Sequence, residues 1–315
     1  GKHLKDIAAE KPAQVRVHTT LLGGGFGRRL EMDFIPAAVE ASKAVGKPVQ
    51  VIWTREDDMT HDAYRPPAHD VVAGALDQDG RLVAWQFHLV GPSVTARMFP
   101  SAVADPKVAD PFAVEAAQNF PYDVPNVAVD YLRQEIGINV GYWRSVSHAL
   151  NCFVAESFMD ELAHAAKKDP FEFRRDLLRN QPRYQRVLEE AATMAGGGKP
   201  PAGRHHGIAL MEGYGTCLAQ VAEISVTGGA LKVHRIVCAV DCGQMVNPAI
   251  VESQIESGIV FGLTAALWGE ITLDRGRVRE TNFDRYRLLR LNEAPVVEVR
   301  LLESAEAPGG IGEPS

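Results

Sequence analysis

The chain has 315 residues and a formal net charge of -7, with 46% hydrophobic and 23% charged side chains. An acidic excess of this size argues against a nucleic-acid-binding protein, because no basic face could offset it. The composition is that of an ordinary globular protein, and the length allows two lobes that each bury a core. We therefore expect a small molecule or another protein as the binding partner.

Four cysteines are too few and too scattered for a disulfide scaffold or an iron–sulfur cluster in a chain of this length. The spacing of Cys238 and Cys242 does not match a zinc knuckle, and no second pair or His cluster completes a site, so we predict buried thiols rather than a structural metal site. No apolar run approaches the roughly 20 residues that span a bilayer, so we expect no transmembrane segment.

The start of the chain, residues 1–5, is not followed by the apolar core of a signal peptide. Because the chain begins without methionine and stops two residues after Glu313, we expect it to be an internal piece of a longer protein. A targeting segment could then lie elsewhere in that protein. The sequence therefore leaves the compartment open between cytoplasm and periplasm.

The first part of the chain has the pattern of a strand, a glycine-rich loop and a helix. Alternating apolar residues predict a strand over 15–20, and the loop Gly23–Gly27 follows it. The apolar spacing over 33–45 predicts a helix, which Gly46 ends. A further strand is predicted over 49–53.

The next elements are a hairpin and two helices. The hairpin is predicted over 69–89 and turns at an Asp-Gln-Asp-Gly sequence. Apolar residues at helical spacing predict a helix over 150–165, with Glu156 and Asp160 on its polar face. A second helix is predicted to begin at Asp169, which is followed by proline and has the acidic capping pattern.

The glycine- and proline-rich run at 196–203 is the clearest break in composition, and it predicts two lobes, residues 1–198 and residues 199–315. The second lobe is predicted to contain a hairpin that turns at 227–230. A long helix with small residues on one face follows over 248–267. Strands and helices are therefore mixed in both halves.

The loop Gly23–Gly27 contains a Gly-x-Gly-x-Gly skeleton, so a dinucleotide-binding turn must be considered. The third glycine of that fingerprint should stand where Arg28 does, and Lys43 stands where an acidic residue is expected. The Gly-Lys-Ser/Thr of a Walker loop is also absent. The pattern favours two other interpretations over that turn: a structural turn, or a loop whose backbone N–H groups face an anionic or oxo ligand, with Phe26 as a wall.

The terminal segment has three glycines that bring the backbone close to a neighbour and then present the carboxylate of Glu313. Alternation over 296–302 predicts a strand just upstream, so a rigid element ends shortly before the glycine turn. A carboxylate held there would be partly shielded from water, as suits a general base. The alternative is a solvated glutamate in a surface turn, since Glu is seldom buried.

Six separated motifs, in this order, resemble the xanthine dehydrogenase and aldehyde oxidase family, and within it the molybdopterin-binding large subunit. The Gly-Tyr-Trp-Arg and Asp-Glu-Leu-Ala patterns are most similar to the isoquinoline 1-oxidoreductase and nicotinate dehydrogenase branch. The resemblance covers nearly the whole chain. The motifs are Gly23–Arg29, Trp53–Glu56, Gly141–Arg144, Glu156–Ala163, Asp241–Gly243 with Asn247, Pro248 and Gln254, and Gly309–Glu313.

The resemblance implies an α+β fold of two mixed α/β lobes of the molybdopterin-binding type, with the cofactor cleft between them. Glu313 matches the family's catalytic base, and Gln254 matches a catalytic-site glutamine beside the metal's oxygen ligands. The molybdenum would be held by the pterin, with no direct protein ligand. The implied cofactor-binding residues are Gly24, Gly25, Phe26, Gly27, Arg144, Gln254 and Gly312.

The implied function is that of a molybdenum hydroxylase large subunit, which hydroxylates an N-heteroaromatic or aldehyde substrate with water as the oxygen source. The implied cofactor is molybdopterin cytosine dinucleotide. Because this chain has no cluster ligands, a small iron–sulfur subunit is the expected partner and electron acceptor. Ser145 stands where carbon-monoxide dehydrogenases have a copper-binding cysteine, which argues against that chemistry.

The family's Gly-Gln-Gly dinucleotide motif does not occur in these 315 residues. We therefore expect the isolated piece to hold the cofactor incompletely and to be inactive alone. Two other classes of protein stay open. One is a catalytically incomplete accessory or assembly piece of the same fold, and the other is a nicotinamide-dependent dehydrogenase built on the glycine loop.

Overall fold

The structure, a computed structural model, describes residues 14–105 and 107–315. Residues 1–13, which open the first predicted lobe and include the start without a signal-peptide core, lie outside the described residues. The helices are α1 Phe34–Val45, α2 Arg55–Thr60, α3 Val94–Met98, α4 His148–Ala165, α5 Pro170–Asp176, α6 Pro182–Met194 and α7 Pro248–Leu267. The strands are β1 His69–Leu76, β2 Leu82–Gly91, β3 Asn126–Arg133, β4 His205–Gly213, β5 Thr216–Thr227, β6 Ala230–Asp241, β7 Leu273–Asp274, β8 Arg277–Val278 and β9 Val296–Leu301.

The first sheet has the order β1-β2-β3, with an antiparallel hairpin and a third strand parallel to β2. The predicted turn of the hairpin is confirmed. Asp77 Oδ1 accepts the N–H groups of Asp79 and Arg81, each at 2.9 Å. Gly80 has a φ of 68°, a conformation that glycine adopts without steric cost.

The second sheet has the order β4-β5-β6-β9, and only the β6-β9 pair is parallel. The predicted β5-β6 hairpin is confirmed, and Gly228 and Gly229 both have positive φ, as a two-residue type I′ turn requires. Because β9 runs parallel to β6, the segment after β9 emerges beside Asp241 and Cys242. The sheet therefore fixes where the terminal glycines start.

Apolar side chains from both sheets and from α4 form one buried cluster. Trp85 and Phe87 of the first sheet belong to it together with Met159 of α4, and so do Leu210 and Ala219 of the second sheet. Buried residues on both sides of the predicted lobe boundary thus share one apolar cluster. The division into residues 1–198 and 199–315 stays a prediction.

The expectation that Glu156 lies on the polar face of α4 is wrong, because this side chain is buried at 6% exposure. Its carboxylate accepts hydrogen bonds from Arg174 Nε, the Tyr122 hydroxyl and the Leu210 N–H, each at 2.9 Å. Arg174, which is fully buried, also donates to Asp160 at 2.6 Å. A buried charge is stable only when it is paired and hydrogen-bonded, and this pair joins α4, α5 and β4.

Two predicted strands, 15–20 and 49–53, are irregular segments in the structure. Alternation alone predicted them, but a strand also needs a hydrogen-bonded neighbour, and neither segment has one among the described residues. Conversely, β4 and α6 are elements that the sequence patterns above do not include.

The predicted helix at 248–267 is confirmed as α7, with Asn247 as its N-cap and proline at its first position. Its buried residues Val251 and Ile255 pack into a second apolar cluster with β6 side chains. Helix α7 is also long and apolar enough to cross a membrane. This is weak evidence for a membrane span, because the core helix of a soluble protein can have the same length and hydropathy. The absence of a transmembrane segment stays a prediction.

The Glu156–Arg174 pair makes a testable prediction about stability. Replacing Glu156 with alanine leaves a fully buried guanidinium without its main partner, so we expect unfolding to become easier by about 3–5 kcal/mol. The matched control is Asp160→Ala on the same helix, whose side chain is 44% exposed and bonds the same arginine. We expect the control to cost about 1 kcal/mol or less. Chemical unfolding of the full-length protein measures both, and equal costs would contradict the assignment.

Candidate active site

The segment after β9 is fastened to the second sheet through its glycines. The Gly309 N–H donates to the Cys242 carbonyl and the Gly310 N–H to the Tyr214 carbonyl, both at 2.8 Å. Thr216 Oγ1 donates to the Gly310 carbonyl at 2.7 Å. A Cβ at Gly309 would lie 2.6 Å from Thr216 Oγ1, so only glycine allows this approach. The segment therefore reaches Glu313 along a defined path.

The loop Gly23–Gly27 approaches the segment that ends in Arg144. The Phe26 carbonyl accepts the Arg144 N–H at 2.9 Å. Gly27 has a φ of 88°, and a Cβ there would lie 1.9 Å from the Tyr142 carbonyl oxygen, which makes glycine obligatory. The Phe26 ring is 52% exposed and stacks on Phe261 of α7, with ring centroids 6.1 Å apart.

The buried guanidinium of Arg144 joins the terminal segment to α7. It donates from Nε to the Gly312 carbonyl at 2.6 Å, and from its two terminal nitrogens to Ser257 Oγ and the Gln254 carbonyl, both at 2.9 Å. We call this set of hydrogen bonds, with the backbone bond to Phe26, the Arg144 clamp. Burial lowers the pKa of Arg144, and the negative charge of Glu313 opposes that effect.

Arg144 binds the segment that carries Glu313, the helix residue Gln254 and the glycine loop. The side chains of Glu313 and Gln254 are half-buried. Gln254 Oε1 would lie 3.8 Å from a Cβ at Gly312, so its amide is beside the backbone that carries Glu313. The Glu313 charge acts on Arg144 and also on Arg65. The residues expected to bind cofactor, and the expected base, therefore lie on segments that the Arg144 clamp joins.

The sequence patterns did not identify Arg65, which holds the backbone of the segment that contains Arg144. Its guanidinium donates to the carbonyls of Val146 and Arg144 at 2.9 and 2.8 Å. Burial lowers the pKa of Arg65, while Tyr286 and Glu313 oppose this effect. No local pattern in the sequence indicates this role, because its partners lie about 80 residues away.

Sequence reasoning also missed Tyr214, although its turn was visible as Gly-Tyr-Gly. Its hydroxyl is buried and makes no hydrogen bond of standard geometry within the described residues. Burial, followed by the charges of Glu115 and Glu313, raises the pKa of Tyr214. The hydroxyl of Tyr214 is thus near the expected base, although the two residues are 99 positions apart in the chain.

Residues 2–178 match a molybdopterin cofactor-binding domain, and residues 146–295 match a second domain of the same description. The chain therefore belongs to the molybdopterin cofactor-binding family of the xanthine dehydrogenases and aldehyde oxidases. This finding confirms the resemblance of the motifs and the mixed α/β fold. It also confirms the expected cofactor at the level of molybdopterin.

Three curated relatives each align with 96% of this chain. The beta subunit of the isoquinoline 1-oxidoreductase of Brevundimonas diminuta is 34% identical. A membrane-bound aldehyde dehydrogenase (pyrroloquinoline-quinone) of Gluconacetobacter polyoxogenes is 32% identical, and a nicotinate dehydrogenase subunit of Pseudomonas putida is 27% identical. The chain spans 39%, 43% and 27% of these three proteins, respectively.

Two solved structures share the fold. The aldehyde oxidoreductase of Desulfovibrio desulfuricans has a TM-score of 0.74 over 93% of this chain and 49% of that chain. The quinoline 2-oxidoreductase of Pseudomonas putida 86 has a TM-score of 0.73 over 92% of this chain and 63% of that chain. Both are 14% identical to this chain, so they establish the fold alone.

The residues at this site fit a bound cofactor of the family. The N–H groups of Gly24 and Gly25 have no hydrogen-bond acceptor among the described residues, so they remain as donors for an anionic or oxo group. The exposed Phe26 ring adds an apolar wall. The described residues contain no cluster of three or more His, Cys, Asp or Glu side chains placed to hold a metal ion. Two small, partly open pockets lie elsewhere and are not lined by Phe26, Gln254 or Glu313.

The Arg144 clamp makes a prediction about the terminal segment. A lysine at this position cannot donate simultaneously to three acceptors spread around a planar guanidinium. Since hydrogen bonds to a charged donor contribute about 1.5–3 kcal/mol each, Arg144→Lys should speed hydrogen exchange of the Gly309 and Gly310 amides at least about tenfold. Hydrogen exchange with mass spectrometry on the full-length protein measures this change.

The control is Arg235→Lys, which alters a partly exposed bidentate pair with Glu298 on the second sheet. Exchange at Gly309 and Gly310 should stay at its original rate in this variant. Unchanged exchange in Arg144→Lys, or equal acceleration in both variants, would contradict the role of the clamp.

Proposed function

We propose that this chain supplies part of the active site of a molybdenum hydroxylase. The reaction is the oxidative hydroxylation of an N-heteroaromatic or aldehyde substrate, with oxygen from water. The observation that carries the proposal is the position of Glu313, a half-buried carboxylate held through Gly312 and the Arg144 clamp beside Gln254. A base must be fixed within reach of the proton it takes, and the attachment of Gly312 to Arg144 supports a fixed position for Glu313.

The catalytic residues in this proposal are Glu313 and Gln254. Glu313 takes the proton released as oxygen attacks an electron-poor carbon of the substrate, which is the role of a general base. The side-chain amide of Gln254 offers a hydrogen-bond donor and an acceptor near Glu313, and it orients polar groups that bind there. The backbone of Gly312 connects the two, because its carbonyl and the Gln254 carbonyl bind the same guanidinium.

The cofactor in this proposal is molybdopterin cytosine dinucleotide with molybdenum, and no protein side chain binds the metal directly. When bound, this group supplies the two-electron oxidation and the delivery of oxygen derived from water. The chain's part is to bind and orient it. The residues assigned to that task are Gly24, Gly25, Phe26, Gly27, Arg144, Gln254 and Gly312. The 34% identity with an isoquinoline 1-oxidoreductase subunit supports this branch of the family.

The electron acceptor in this proposal is a separate small iron–sulfur subunit. The four cysteines of this chain are free thiols, and three of them are buried within the second sheet and its edge. Burial raises the pKa of the Cys238 thiol to about 12, so it stays protonated and is unsuited to ligating a cluster. Two relatives are named as subunits, which supports assembly with further chains.

The substrate class is proposed from the aromatic surface at the site. Phe26 is half-exposed and its ring is nearly parallel to the stacked ring of Phe261, with an angle of 11° between the two planes. A flat apolar wall of this kind suits a planar heteroaromatic ring or an aryl aldehyde. The names of the isoquinoline and nicotinate relatives support N-heteroaromatic substrates, and that of the aldehyde dehydrogenase supports aldehydes.

The proposal predicts that Glu313→Gln in the full-length protein abolishes turnover while the molybdenum content is retained. The amide keeps the size of the side chain but cannot accept a proton, so kcat/KM should fall by about 10²–10⁴. Turnover is measured on the purified complex with N-heterocycles and aldehydes and a dye acceptor. Molybdenum is measured on the same samples by mass spectrometry.

The matched control is Glu306→Gln, which changes an exposed glutamate seven positions upstream on the same segment. It should retain full activity. An active Glu313→Gln enzyme refutes the base assignment. If the purified wild-type protein contains no molybdenum and shows no turnover, the chain is instead an accessory piece of this fold.

A further inference from the structure

Tyr214, His148 and Glu115 form a group of titratable side chains next to the terminal segment. Tyr214 sits in the two-residue turn between β4 and β5, and His148 at the start of α4 packs against its ring, with centroids 4.9 Å apart. His148 is 2% exposed, and its Nδ1 lies 3.3 Å from Glu115 Oε2. Tyr214, His148 and Glu115 have no role in the proposed function.

The backbone holds Tyr214 in a conformation that most residues avoid. Its φ is 56°, in the left-handed region, and Gly215 follows with a φ of 78°. Turns of this kind favour Asn, Asp or Gly at the first position, and a bulky aromatic residue there is an outlier. Strained backbone persists where the surrounding structure enforces it, and it is concentrated at functional sites. The strained conformation of Tyr214 therefore indicates a candidate functional residue.

Neighbouring residues fix the position of the Tyr214 side chain. The Tyr214 carbonyl accepts the Gly310 N–H at 2.8 Å, and a Cβ at Gly310 would lie 2.9 Å from the Tyr214 Cβ. On the other side, a Cβ at Gly213 would lie 2.8 Å from His148 Nε2. Glycine on both sides therefore lets the phenol lie between the terminal segment and His148.

The Tyr214 hydroxyl needs an acceptor, because buried polar groups are rarely left without a partner. Its oxygen is buried and has no hydrogen bond of standard geometry within the described residues. The charged groups that act on it are the carboxylates of Glu115 and Glu313, and both raise the pKa of Tyr214 beyond the effect of burial. The phenol therefore stays protonated at physiological pH and is available as a donor.

We propose that Tyr214 is a positioning residue whose buried hydroxyl donates a hydrogen bond to the Glu313 carboxylate and holds it toward Gln254 and the Phe26 loop. The proposal rests on the proposed function of Glu313 as the base. The negative charge of Glu313 also acts on Arg144 and Arg65. The hydrogen bonds of both guanidiniums go to backbone carbonyls and, from Arg144, also to Ser257 Oγ and Gln254 Oε1, so neither binds the Glu313 carboxylate among the described residues. The buried phenol is a further donor near this carboxylate.

The packing behind the phenol supports a fixed rather than a mobile hydroxyl. His148 and the Glu115 carboxylate are both enclosed, and Glu212, on β4 beside His148, is half-buried. Burial raises the pKa of Glu212, while the charges of His148 and Arg183 oppose this. The ring of Tyr214 therefore packs against enclosed side chains, which limit its movement.

The test is Tyr214→Phe in the full-length holoenzyme, which removes the hydroxyl and keeps the ring. We expect kcat to fall about 10- to 100-fold, with KM and molybdenum content unchanged, because a hydrogen bond to a charged acceptor is lost. The acid side of the kcat/KM profile should also move to higher pH, since the ionised carboxylate loses a donor that stabilises it. Tyr131→Phe is the control, because it removes a phenol that donates to the Gly91 carbonyl in the first sheet.

A second readout does not depend on activity. Thermal unfolding of Tyr214→Phe, Glu313→Gln and the double variant forms a double-mutant cycle, and direct contact predicts non-additive shifts. An additive cycle together with a wild-type kcat and pH profile for Tyr214→Phe would overturn this inference, while an inactive Glu313→Gln enzyme leaves the base assignment standing. An active Glu313→Gln enzyme overturns the proposed function and with it the role of Tyr214.

Discussion

The buried guanidinium of Arg144 is the interaction on which the candidate site depends. It binds the carbonyls of Gly312 and Gln254, which lie 168 and 110 positions further along the chain. The backbone N–H of Arg144 donates to the carbonyl of Phe26, which lies earlier in the chain. An arginine suits this task because its planar fork has five donors in fixed directions and stays charged when buried. Three distant segments are therefore held in one geometry by one residue.

Two features give the clamp a rigid frame. The parallel β6-β9 pair delivers the terminal segment beside Cys242, and glycines at 309 and 310 let it lie against the β4-β5 turn. The Glu156–Arg174 pair fixes α4, whose N-terminal residue His148 backs that same turn. Burying such a pair costs solvation energy, which the hydrogen bonds of both side chains offset. The positions of the site residues thus depend on strand pairing and hydrogen bonds in the core.

The sequence predicted the elements that local chemistry specifies. The hairpins at Asp77 and Gly228 and the helix capped by Asn247 follow from turn and cap residues, and all three are present. The sequence-based predictions failed where contact with a residue distant in the chain determines the local structure. The segment 49–53 alternates but has no neighbouring strand among the described residues, and Glu156 looks solvent-facing until Arg174 is placed beside it. The glycine loop and Glu313 were visible as motifs, whereas the contacts of Tyr214 were not, because they depend on how distant segments pack.

We propose that Glu313, Gln254 and the Phe26 loop surround one bound metal cofactor. The position of the metal can be measured in an anomalous difference map from a crystal of the full-length protein, recorded at the molybdenum absorption edge. We predict a single strong peak in the space bounded by these three groups, with the Glu313 carboxylate turned toward it. A peak elsewhere in the molecule, or a carboxylate turned to bulk solvent, would contradict it.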